Sequence, residues 1–140
     1  MITLEGGDEL ERKFKALRDS VAGDALEASV LAGAEPVLSA IYERAPEGRG
    51  ILKSDLAAET LAKDEQHCAI GIGAFGNPEA HLVEFGHQLV AGGPLGAGGT
   101  VVGQVPPHPF VRPAYDETKN DAVDALGEAL RVQIEQAGAR

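Results

Sequence analysis

From Phe85 to Val111 the chain contains no Asp, Glu, Lys or Arg, and seven of the residues between Gly86 and Gly103 are glycine. A helix cannot persist through such a stretch, since each glycine weakens it by about 1 kcal/mol relative to alanine. Pro106, Pro107 and Pro109 then fix φ and remove backbone donors at its far end. Helices must therefore stop before this interval and resume after it. A loop of this length in a compact domain tends to be functional. Lacking charge, residues 85–111 can enter a partner without stranding ions in the interface, so the segment reads as an assembly loop, with a floppy surface hairpin as the alternative.

Helical periodicity flanks it on both sides. Leu10, Phe14, Leu17 and Val21 recur at helical spacing, with Asp8, Glu9 and Glu11 at the front where the helix dipole favours negative charge. Leu26, Val30, Leu31, Val37, Leu38 and Ile41 carry the pattern onward. Gly23 and Pro36 interrupt it, which predicts a kink or break near Gly33 to Pro36. The run ends at Arg44-Ala45-Pro46, because a residue before proline leaves the α region. Pro113 suits a first helical position, and Tyr115, Ala122, Val123, Leu126, Leu130 and Ile134 then mark a final amphipathic helix. Between these helices, Leu56 to Ala62 passes for helix on propensity. Gln66 to Ala74 alternates like a strand, however, and Lys63-Asp64-Glu65 supplies a turn, so a hairpin is favoured. The predicted class is α+β in one domain over residues 1–140. Its order is an N-terminal helix, kinked or broken, then a small antiparallel sheet with a long Gly-rich loop, then a C-terminal amphipathic helix.

Charge and composition exclude several functions. The 22 acidic residues against 12 basic ones leave a net charge of -10, which repels phosphate backbones and opposes a tight grip on nucleic acid. The single cysteine, Cys68, excludes an internal disulfide and reads as a small buried hydrophobe. Met1 to Glu11 has no apolar core of signal-peptide length, and no run approaches the roughly 20 apolar residues that span a bilayer. A protein made in the cytosol, with no membrane partner, is expected.

Three motifs invite chemical readings. Gly71-Ile72-Gly73-Ala74-Phe75-Gly76 is a literal G-x-G-x-x-G, but a dinucleotide site needs a helix N-terminus after it and an acid about 20 residues on. Asn77-Pro78 follows instead, Ala80 to Phe85 is too short for a crossover helix, and no acid lies between Glu84 and Asp116. Gly93 to Thr100 has the length of a phosphate loop but Gly99 where its Lys should stand. His81, Glu84 and His87 are metal-ligand types, yet neither helix nor strand spacing puts all three on one face. A small metal- or nucleotide-dependent enzyme is thus the lesser alternative. No catalytic, cofactor-binding or metal-ligating residue is assigned, and no cofactor is expected.

Three stretches in order carry a resemblance: "RAPEGRGILKSDL" from Arg44, "HLVEFGHQ" from His81 and "PPHPFVRPAYDE" from Pro106. Together they resemble the tail-completion or head-to-tail joining proteins of long-tailed phages, the gene-product-ten family of Hong-Kong-type lambdoid phages, over about residues 8 to 137. His81 and His87 depart from it, standing where that family usually has Tyr and Thr. The resemblance implies a structural protein of the virion, assembled in the host cytoplasm into a ring in the neck. Its partners would be the portal and head-tail connector proteins and the tail terminator and tube proteins, with DNA passing through without tight binding. A tail terminator is the related alternative. The implied assembly or structural residues are Glu84, Phe85, Gly86, Pro107, Pro109, Phe110, Arg112 and Pro113. Physically, the prolines present Phe110 and Arg112 with little entropy left to lose. Phe110 reads as a core anchor, and Arg112 as one half of a bidentate pair with a carboxylate such as Glu84.

Overall fold

A computed structural model describes residues 6–47, 51–92 and 99–138. The first break in helix falls at Gly23, where φ is +57°, and it separates α1 (Gly7–Ser20) from α2 (Asp24–Arg44). The predicted break at Gly33 to Pro36 is absent, and α2 continues through Pro36. Gly33 serves packing instead. A Cβ there would lie 2.9 Å from both the Ala122 carbonyl oxygen and Leu126 Cβ, so its bare backbone lets α2 approach α5 (Val111–Gly138). Pro36 removes a donor from α2, and the buried stripe of Ala34, Val37 and Ile41 offsets that loss through tertiary packing. The helix stops as expected, with Ala45 extended at φ -60° and ψ 132° ahead of Pro46.

A single turn, α3 (Ile51–Ser54), leads into β1 (Leu56–Lys63), which pairs antiparallel with β2 (Cys68–Ala74) from Leu56↔Ala74 to Lys63↔Cys68. The hairpin expected from the alternation is present, with a bulge where the register shifts between Thr60 and Ala62. Its turn is closed by Asp64, whose Oδ1 accepts N–H bonds from Gln66 and His67 at 2.7 and 2.8 Å. These bonds, the one from Gln66 foremost, hold the Asp64 carboxyl below its ordinary range. Leu56 and Ile72 pack on the core beside α2, and Lys63 pairs with Asp24 and Glu27 at that helix's front.

Residues 85–111 contain a hairpin, the alternative to an open loop. After α4 (Ala80–Phe85), β3 (His87–Ala91) pairs antiparallel with β4 (Thr100–Val105), from His87↔Val105 to Ala91↔Thr100. Most of the Gly93 to Thr100 stretch lies outside the described residues. The two hairpins form separate two-stranded sheets. The core gathers Val37, Ile41 and Ala45 from the end of α2 with Phe110 and Ala114 from the start of α5.

Candidate assembly surface

The first N–H groups of any helix lack partners within it. Ahead of α5 the chain reads Pro107-His108-Pro109-Phe110, which offers no Ser, Thr, Asp or Asn as a cap. The acceptor comes from far along the chain. Glu84, at the end of α4 and only 8% exposed, accepts N–H bonds from Phe110 and Val111 through Oε2 at 2.7 and 3.0 Å, and from Arg112 through Oε1 at 3.1 Å. Burial alone would raise the Glu84 carboxyl, but the three N–H donors outweigh it and its pKa falls below the ordinary 4.5. The carboxylate also meets the positive end of the α5 dipole.

Gly86 completes this clamp. Its φ is +72°, and a Cβ would lie 2.6 Å from the Val105 carbonyl oxygen and 2.8 Å from Pro107 N. Only glycine combines that backbone angle with so close an approach. The His108 N–H donates to the Val83 carbonyl at 2.8 Å, and Phe110, 1% exposed, enters the core as its sequence context predicts. Thus Glu84, Gly86 and Phe110 converge on one junction, with Pro107 and Pro109 exposed along its rim.

Two readings need correction. The Arg112 guanidinium lies 3.5 Å from Asp116 on its own helix, while Glu84 takes the backbone N–H of Arg112, because capping α5 uses both carboxylate oxygens. Pro113 stands third in α5, not first, since Glu84 lets the helix begin at Val111. Proline is still tolerated there, within the turn whose N–H groups have no helical partner.

Phe85 points the other way and is 77% exposed. With Ala80, His81, Pro109, Arg112 and Tyr115 it lines an open, mainly apolar groove of about 570 Å³. Beyond the junction, Leu89 and Val90 on β3 and Val101 and Val102 on β4 are all exposed. A lone two-stranded ribbon is marginal in water, which makes this exposed apolar hairpin the candidate contact surface. Among the described residues fifteen large hydrophobics are exposed while the buried hydrophobic core holds six residues, half of them alanine.

The chemical motifs find no site. β2 is antiparallel to β1, Gly71 is covered by Leu61 and Phe75, and Gly76 faces the Asp55 carboxylate, which would repel phosphate. Glu84 spends its oxygens on α5, and among the described residues no His, Cys, Asp and Glu cluster could hold a metal. His87 Nδ1 is buried without a hydrogen-bond partner. No described helix is long and apolar enough to cross a membrane.

Residues 8–86 match the family described as "Bacteriophage HK97-gp10, putative tail-component". The match spans α1 to α4 and ends on the Glu84-Phe85-Gly86 clamp. No curated protein and no solved structure gives a significant match. The family is one of structural phage proteins, not enzymes, which contact other components of the virion. This match, over more than half of the chain, establishes that the protein belongs to the HK97-gp10-like family of phage tail components.

Proposed function

We propose that the protein joins the phage head to the tail. It acts as a ring in the neck, between the portal and connector proteins and the tail terminator and tube proteins. The observation that supports this is the β3–β4 hairpin, uncharged and apolar, with Leu89, Val90, Val101 and Val102 exposed and Gly86 packed close against Val105 at its base. Such an arm reaches a neighbour while the helical body stays folded. Phe85, Pro107, Pro109 and Arg112 are exposed around its base and serve as further assembly contacts, whereas Glu84, Gly86, Phe110 and Pro113 hold the junction in shape. A net charge of -10 suits a channel through which DNA slides, since acidic walls repel phosphates that basic walls would hold.

Electron microscopy of lysates from the parent phage with this gene deleted tests the role. Filled heads beside separate tails of normal length are expected. Overlong tails would instead indicate a terminator, and intact infectious particles would overturn the neck assignment. Neutralising the acidic residues that face the channel should slow DNA ejection, and unchanged ejection would remove the sliding role.

A further inference from the structure

The outer edge of β2 is undefended. Its inner edge pairs with β1, and among the described residues the backbone of Cys68 to Gly73 bonds to no other element. Natural edge strands deter pairing with Lys, Pro or other charge, and Cys68–Ala74 carries none of these. A cleft runs beside this edge, with Ile70 and Ile72 on one wall, Tyr115 and Val123 of α5 on the other, and α2 as its floor. It shares Tyr115 with the groove at Phe85, which itself reaches Ala74, so an apolar trough follows β2 for most of its length.

We propose that this trough receives the β3–β4 hairpin of a second copy, adding strands to β2 to make one sheet across two subunits; the inference rests on the ring reading above. Length agrees, since β2 has 7 residues and the incoming strands have 5 and 6. Charge selects the occupant. Two copies at -10 each repel through their acidic helix faces, so they meet best where that charge is missing. The hairpin and β2 carry no charged residue; of the charged side chains that line the trough, Glu84 is spent on the α5 N–H groups and Arg112 and Lys119 are cations. A basic partner would be drawn to the acidic helices instead. Backbone pairing would give the hairpin the third strand that a stable sheet needs. Because trough and hairpin are different surfaces of one subunit, the contact is head to tail and propagates around a ring.

Disulfide trapping tests the pairing in lysates of phage complemented with variant chains. In a Cys68→Ser background, Ala74→Cys, on the same face of β2 as the trough-lining Ile70 and Ile72, is combined with Val90→Cys or with Val102→Cys. Oxidation should yield a ladder of covalent oligomers from at least one pair and none from the single cysteines. Monomer alone from both pairs, in particles that are joined and infectious, would overturn β2 pairing and leave the joining role standing. As a second measure, Val102→Lys should lower the yield of joined particles about tenfold or more by burying a charge in the trough, with the circular dichroism of the purified chain unchanged. Normal yield would overturn the proposal. Joined particles in the gene-deletion lysate would instead overturn the neck role, and the ladder would still decide the pairing.

Discussion

The protein contains two antiparallel hairpins with opposite fates. The β1–β2 pair lays Leu56 and Ile72 on the core and ties its far end to α2 through Lys63, Asp24 and Glu27. The β3–β4 pair keeps Leu89, Val90, Val101 and Val102 in solvent, adds no residue to the core cluster, and comes close to the body at its root, where Gly86 meets Val105 and Pro107. The first is part of the body. The second is carried by the body, so strand pairing alone says little about what a hairpin is for; its attachment does.

Substitutions can separate the two. Phe110→Ala should have the largest effect, about 3–5 kcal/mol by denaturant unfolding, because its buried ring joins α5 to the α2 core on which the first hairpin packs. Glu84→Ala should cost about 2–4 kcal/mol, since it strands buried N–H groups at the front of α5. Acid sharpens this test. The folded Glu84 carboxyl titrates below its unfolded value of 4.5, so its contribution is complete above that pH and lost as pH falls below it. Wild-type stability should therefore drop more steeply than that of Glu84→Gln between about pH 5 and pH 3, and parallel curves would deny Glu84 this role. Ile72→Ala in the anchored hairpin should cost about 2 kcal/mol. Val102→Ala in the free one should change stability by less than about 0.5 kcal/mol while reducing the joined-particle count. Equal thermal shifts for this pair would collapse the distinction between body and arm. Smallest of all, Arg112→Ala should move the melting temperature little, because its pair with Asp116 is exposed and lies four residues along the same helix.

Much of the body is legible in the residues. The apolar spacing of α1 and α5, the stop at Ala45-Pro46 and the alternation of β2 are local signals, and the structure follows them. Gly33 and Pro36 do not break α2, and a glycine that permits close helix packing looks the same in sequence as one that ends a helix. Glycine density left β3 and β4 undecided between loop and hairpin, although Val90, Val101 and Val102 with Thr100 are strand formers on either side of the Gly-rich stretch. The role of Glu84 lies 26 residues from its nearest bonded partner, beyond any local spacing rule. One signal pointed to it: α5 opens with no capping side chain in front of it, so its acceptor had to come from elsewhere.

The clamp at Glu84 and Gly86 also bears on how such a protein can change over generations. It brings the departure of the arm at His87 and its return at Val105 to one place. Everything between is a cassette whose length and apolar side chains can vary while the body keeps its core. Doubling such a segment adds only about 0.6 kcal/mol of closure entropy. The family match stops at Gly86, one residue before the cassette begins. A phage meeting an altered neighbour in its virion could recover the fit by exchanging this stretch alone, leaving the helices that carry it untouched.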